Sequence, residues 1–294
     1  MNILQISIQA PGYNSGGTLG ILQFSYALTR NNKVTYIGPR IESEEIESWF
    51  EKTIYMSRKL TTVEKIQSLM HMEFDKYYIL WNKIDINFND YDVIYIDFTR
   101  WQYVIESIKK SGYKGKIIVR AHNVEKDYLR VEYKSQRTIS SYIKSILAGH
   151  REKYMVNMAD MILAITPEDK KRLIDLYKVE EKKIVVCPVG VNSSKRRKKK
   201  SVEKGQKLNC LITGSLWFGP NATGVLWVLK EVMPKVSDIC ELTIAGAKPN
   251  DEIMSACRKT DASLVVSPES MSPYFEAADM VLVPIFDGGG MKVK

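Results

Sequence analysis

Histidine and cysteine are scarce in this chain of 294 residues, at three and four. Cys187, Cys210, Cys240 and Cys257 form no C-x-x-C pair, and each lies in or beside an apolar segment. That excludes a disulfide-stapled scaffold and reads as reduced core thiols of a cytosolic protein. His71, His122 and His150 do not make a zinc-ligand spacing, so no metal site is expected. Long apolar runs are also missing. The stretch Met280–Phe286 falls far short of the ~18 residues that a membrane span needs. No Lys-led apolar run opens the chain, so no secretory leader is expected. Short internal repeats are absent. What remains is ordinary for a globular protein: 45% apolar and 26% charged residues. At ~150 residues per domain the length corresponds to about two domains.

The net charge is +9, but six cations form one run, Lys195-Arg196-Arg197-Lys198-Lys199-Lys200, and nine less six leaves +3. A basic face spread over a domain is therefore lacking, which argues against nucleic acid as partner. Six adjacent cations cannot be buried, so residues 191–206 read as an exposed basic linker between domains 1–190 and 207–294. The run reads either as a solvated linker or as a contact for anionic lipid or a polyanionic acceptor.

Strand-like and helix-like runs alternate from end to end. Strands are expected at Asn2–Gln9, Lys33–Ile37, Val93–Asp97, Lys116–Ala121, Met161–Ile165 and Ile184–Cys187. Thr61 and Glu64 fit a capping box that opens a long helix to about Trp81. A second long helix is expected over Lys134–Met158. Thr166-Pro167-Glu168-Asp169 is a helix start, with Thr as N-cap, Pro next and acids in the first turn. After the linker the pattern restarts, with strands at Leu208–Thr213, Glu241–Ala245, Ser263–Val266 and Met280–Val283. Helices are expected at Asn221–Val232, Glu252–Arg258 and near Pro273–Ala277. This alternation predicts an α/β fold of two Rossmann-like doubly wound domains facing across a cleft, the second incomplete. Ligands in such sheets bind beyond the carboxyl ends of the strands.

Four segments fall there. Pro11 to Gly20, with Gly16-Gly17, follows the first strand and reads equally as an anion-binding turn or a plain flexible one. It is not a dinucleotide fingerprint, since Ser15 breaks the G-x-G-x-x-G register and Gly38-Pro39-Arg40 replaces the acid after strand two. Nor is it a Walker A loop, because Thr18 stands at the lysine position. Arg120 to Glu125 holds His122, either a surface-loop histidine or a group that binds a hydroxyl or moves a proton. Thr213 to Asn221 again pairs small residues with a helix start, and Asn221 is expected as a plain N-cap. Asp287 to Lys294 joins a triple glycine to two lysines. It is either a disordered tail or a cradle for a diphosphate whose charge grows as a bond breaks. Trp49, Tyr77, Tyr78 and Trp81 read as core or groove filling.

Together these segments resemble the retaining nucleotide-sugar glycosyltransferases of family four, with the GT-B fold. The resemblance rests on Gly16-Gly17, Arg120–Glu125, Ala159-Asp160-Met161 leading to Thr166, and Val186–Asn192. It rests further on Gly214-Ser215 through Pro220-Asn221, Tyr274–Pro284 and Gly288–Lys294. It implies an acceptor-binding N-terminal domain and a donor-nucleotide-binding C-terminal domain. His122 is the implied catalytic residue near the donor sugar's hydroxyls. Gly16, Gly17, Asn123, Gly214, Ser215, Gly289, Gly290, Lys292 and Lys294 are the implied donor-binding set. It also implies no cofactor and no catalytic metal, in keeping with the lack of an Asp-x-Asp after a strand at a plausible site.

The expected function is transfer of a sugar from a nucleotide-diphosphate donor to a glycan or lipid-linked acceptor in polysaccharide biosynthesis. The expected location is the cytoplasm, with peripheral contact at the inner face of an anionic membrane. The family's Glu-x(7)-Glu segment would begin just past Lys294, so the chain is expected to be C-terminally truncated and poorly active. Two alternatives stand beside this: an NAD(P)-type Rossmann oxidoreductase, and a non-catalytic module that binds a glycan or a partner.

Overall fold

The computed structural model describes residues 1–13, 15–71, 77–190 and 205–286. Among them the chain divides into two compact units, one of residues 1–130 and 138–190, the other of residues 131–137 and 205–286.

The first unit is built on a seven-stranded sheet, every strand pair of which is parallel. Its strands are β1 (Asn2–Ile6), β2 (Lys33–Gly38), β3 (Lys52–Tyr55), β4 (Val93–Asp97), β5 (Lys116–Ala121), β6 (Met161–Ala164) and β7 (Ile184–Val186), in the order β3-β2-β1-β4-β5-β6-β7. The helices are α1 (Gly16–Thr29), α2 (Glu44–Glu47), α3 (Thr62–Met70), α4 (Tyr77–Trp81), α5 (Gln102–Lys110), α7 (Ile139–Met158) and α8 (Pro167–Tyr177), while α6 (Glu125–Gln136) begins in this unit and ends among residues of the second. The central strands are apolar because both sheet faces are covered. One core cluster gathers Leu4, Ile94, Ile96, Ile117, Val119 and Ile162 with Val104, Ile105 and Ile108 of α5. The other joins Ile3, Val34, Tyr36 and Tyr95 with Leu22 of α1. Strand order reverses between β1 and β4, and the crevice beyond their carboxyl ends is where ligands of such sheets bind.

The second unit has a four-stranded parallel sheet, β10-β9-β8-β11. Its elements are β8 (Leu208–Ser215), α9 (Gly219–Trp227), a π-helical turn at Val228–Val232, α10 (Met233–Val236), β9 (Cys240–Ala247), α11 (Asp251–Lys259), β10 (Ser263–Val266), α12 (Ser272–Ala277) and β11 (Met280–Leu282). Cys210, Cys240 and Cys257 are buried in its core, Cys187 is half-buried, and all four are free thiols.

Several expected elements differ. The helix expected over Lys134–Met158 is two helices, because Arg137 takes a left-handed φ of 50° and Thr138 then caps α7 through Ser141. The helix that starts at Thr61 stops at Met70, and Tyr77–Trp81 is a separate helix. Asn221 is not an N-cap. Phe218 holds that position, and the Asn221 side chain donates to the carbonyl of Ser215 from inside the first turn. Strand β3 and helix α5 were not anticipated. Residues 191–204, with the basic run, and 287–294, with the triple glycine, lie outside the described residues.

Candidate functional site: the strand ends of the two sheets

In the first unit β1 leads through residues 7–15 to α1. Ser15 caps that helix, exchanging hydrogen bonds with Thr18, so Gly16 and Gly17 are its first two residues. No acidic side chain lies in this first turn, so beyond the Ser15 cap on the Thr18 amide the positive helix end has no countercharge. A Cβ on Gly17 would stand 3.1 Å from Gln9 Oε1. A Cβ on Gly20 would stand 3.7 Å from both Arg120 Nη2 and His122 Cε1, so the β5 exit lies directly against α1. Gly16, Gly17 and His122 thus share one end of one sheet.

His122 is 5% exposed. Its Nε2 lies 2.9 Å from Asp97 Oδ1, at the last residue of β4. The Asp97 carboxylate also accepts from Tyr95 Oη at 3.2 Å and from Gln5 Nε2 at 3.0 Å. A carboxylate has only lone pairs to offer, so Nε2 is the donor of this hydrogen bond. The imidazole stacks on Phe98 at 4.1 Å, and Phe98 takes a left-handed φ of 74°. Strain of this kind persists where surrounding contacts over-determine it. Arg120, fully buried, donates to the Gly20 carbonyl at 2.8 Å and lies over the Phe24 ring at 3.6 Å. Its Nε and Nη2 have no hydrogen-bond partner. Asn123, half-buried, follows His122 in the three-residue bridge to α6.

Behind this bridge lies a second buried group. Glu152 of α7, 0% exposed, accepts four hydrogen bonds: from Thr99 Oγ1 (2.9 Å), the Glu125 amide (2.8 Å), the Lys126 amide (3.1 Å) and Tyr177 Oη (2.6 Å). Burial, with the neighbouring Glu125 charge, pushes its carboxyl up to about 7. Glu125 is itself paired with Arg100, and its Oε1 is buried with no partner.

In the second unit Gly214 and Ser215 end β8. Gly214 takes a φ of 147°, and a Cβ on its cross-strand partner Gly246 would stand 2.0 Å from the Gly214 carbonyl oxygen. The following turn closes through Phe218 N–H on Ser215 O at 3.2 Å. Helix α9 then starts with no side-chain cap and no acid in its first turn. Both first-strand turns therefore deliver an acid-free helix N-terminus to a sheet's carboxyl end, capped by Ser15 in α1 and by no side chain in α9. Gly289, Gly290, Lys292 and Lys294 lie outside the described residues. Among the described residues no three His, Cys, Asp or Glu side chains cluster as a metal site, and no helix is long and apolar enough to cross a membrane.

Gln5, Asp97 and Glu152 were missed from the sequence. Gln5 is a polar residue inside an apolar strand, and Asp97 ends one. Glu152 falls on the buried stripe of α7 between Ala148 and Met155-Val156. Each was a readable irregularity.

Two parallel α/β units, each with a small-residue turn and a helix start after its first strand, define a protein of the doubly wound α/β class. Residues 15–195, more than half of the chain, match the model of glycosyltransferase family 4, and the chain belongs to that family. Solved structures agree in fold. The lipopolysaccharide outer core galactosyltransferase WaaB in its apo form has a TM-score of 0.55 at 14% identity, over 94% of this chain and 70% of that one. Anabaena HepE in complex with UDP and glucose has a TM-score of 0.59 at 11% identity, over 95% and 73%. A UDP-forming α,α-trehalose-phosphate synthase from Burkholderia xenovorans has a TM-score of 0.58 at 11% identity, over 97% and 78%. No curated protein sequence matches this chain.

Proposed function

We propose that this glycosyltransferase moves a sugar from a nucleoside-diphosphate donor to a glycan or lipid-linked acceptor, with retention of configuration and without a catalytic metal. The observation that carries this reading is the His122–Asp97 pair, packed against α1 just past an acid-free helix N-terminus. The first unit binds the acceptor and presents His122 to the donor sugar's hydroxyls, with Asn123 beside it. Amides at Gly16 and Gly17 serve the donor phosphates, and the second unit holds the nucleotide through Gly214 and Ser215. Gly289, Gly290, Lys292 and Lys294 complete the diphosphate contacts. The acceptor hydroxyl attacks the anomeric carbon, the breaking bond leaves its electron pair on the diphosphate, and the hydroxyl proton leaves with that diphosphate. Fixed amides and lysine charge receive that growing charge, the role a metal plays elsewhere.

HepE was solved in complex with UDP and glucose and the Burkholderia synthase is UDP-forming, so uridine is the first base to test. Calorimetric titration with UDP, GDP and ADP is expected to show one of them binding. His122→Gln is expected to lower the transfer rate by about 10²-fold or more, with nucleotide affinity kept. Chelation with EDTA is expected to leave the rate unchanged. Failure of all three nucleotides to bind would overturn the reading. We further propose that the protein works in the cytoplasm and touches anionic membrane through residues 195–200.

A further inference from the structure

Both sides of the His122 ring depend on one carboxylate that never touches it. On one side is Phe98, the stacking partner, in the short loop that leaves β4. The next residue in that loop, Thr99, donates its hydroxyl to Glu152. On the other side is the bridge of His122, Asn123 and Val124, fixed at one end by β5 and at the other by the start of α6. Val124 accepts the first helical hydrogen bonds, from Asp127 and Tyr128, but an apolar side chain cannot cap the free amides of the first turn. Glu152 caps them instead, from a different helix, by accepting from the amides of Glu125 and Lys126. Tyr177 of α8 holds the same carboxylate from behind.

We propose that Glu152 is a positioning residue that sets the His122–Phe98 stack by tying the β4 exit loop and the α6 N-terminus to one point. A three-residue bridge has little slack, so a shift at the start of α6 moves the imidazole. A shift of Thr99 moves the ring on which the imidazole rests. The carboxylate is matched to this task because it presents acceptors on both oxygens. Glutamine would aim its amide N–H at the Lys126 N–H, and neither can accept. The consequence for transfer rests on the donor-site reading above. The geometry itself does not, and it can be tested without substrate.

The chain has only three histidines, so selective labelling gives three imidazole signals by NMR. The His122 signal is identified by its loss in His122→Gln. Phe98→Leu calibrates the ring-current displacement that stacking produces. Glu152→Gln and Thr99→Val are each expected to carry the His122 signal toward its Phe98→Leu position, while His71 stays in place. A lowered unfolding temperature with an unmoved His122 signal would show a merely structural glutamate and overturn the proposal. So would an unmoved signal at unchanged stability. Should Glu152→Gln not fold, Thr99→Val decides alone, since it keeps the carboxylate and its cap on α6 and cuts only the tie to the β4 loop. Nucleotide binding is not read in this experiment, so it and the donor-site reading can fail separately.

Discussion

Glu152 has a carboxyl pushed up from 4.5 to about 7, first by burial and then by Glu125. Glu125 faces it from α6, Tyr177 faces it from α8, and Arg100 in the β4 exit loop answers the Glu125 charge. The folded protein therefore holds a proton that the unfolded chain releases at lower pH. Stability from this group is present in full below about pH 4.5 and is lost as pH rises toward about 7. The loss is on the order of 3 kcal/mol. Glu152→Gln is expected to remove it, seen as a flatter pH dependence of the urea midpoint than in wild type. Asp97→Asn is expected to cost about 1–3 kcal/mol in denaturant unfolding, since an amide nitrogen would then face donors that the carboxylate now accepts. His122 was legible because it directly follows an apolar strand. Its partners were less so. A glutamate on a long helix has the same letter whether it faces solvent or core, and only its register with Ala148, Met155 and Val156 separates the two.

Some elements could be read almost to the residue. Thr166 caps α8 through the Asp169 amide, with Pro167 first in the helix, as the four-residue pattern requires. Strands β4 and β5 also fall where their apolar runs end in polar residues. The break between α6 and α7 was hidden, because the polar–apolar pattern runs on through Arg137. Nothing in that residue type announces a left-handed turn. Helix α3 is unusual in its facing. Glu64 and Ser68 are buried, while Val63, Ile66, Leu69 and Met70 are 54–79% exposed. Arg58 and Lys83 clamp Glu64 and hold its carboxyl well below the usual range. Leu69→Lys is therefore expected to change stability by no more than about 0.5 kcal/mol, and Glu64→Gln to lower the unfolding temperature measurably. Helix α9 is fixed by close approach. A Cβ on Gly224 would stand 1.6 Å from the carbonyl oxygen of Pro284. Gly224→Ala must displace the helix or the chain leaving β11, at a cost of about 1–3 kcal/mol or more, which circular dichroism melting would register.

At the scale of the molecule, the two-sheet α/β plan was legible because strand and helix periods alternate throughout. The order of strands was not, since composition does not say which side of β1 each later strand takes. Charge at this scale is concentrated rather than spread. Replacing Lys198, Lys199 and Lys200 by glutamine is expected to weaken co-sedimentation with anionic vesicles by about 1 kcal/mol per lysine. It should also flatten the salt dependence of that binding, while transfer to a soluble acceptor stays unchanged. Unaltered vesicle binding would remove the membrane from the account.

The pairing of β1 with β4 spans ninety residues of chain, as in the Asn2–Asp92 contact beside it. A ribosome adding about 5–20 residues per second makes β1 first and its neighbour roughly 5–20 s later. Through that interval one flank of the strand that will stand mid-sheet has nothing to bond to. A nascent chain of this protein is thus exposed to wrong pairing early in its synthesis, at the place where the His122 crevice will later form.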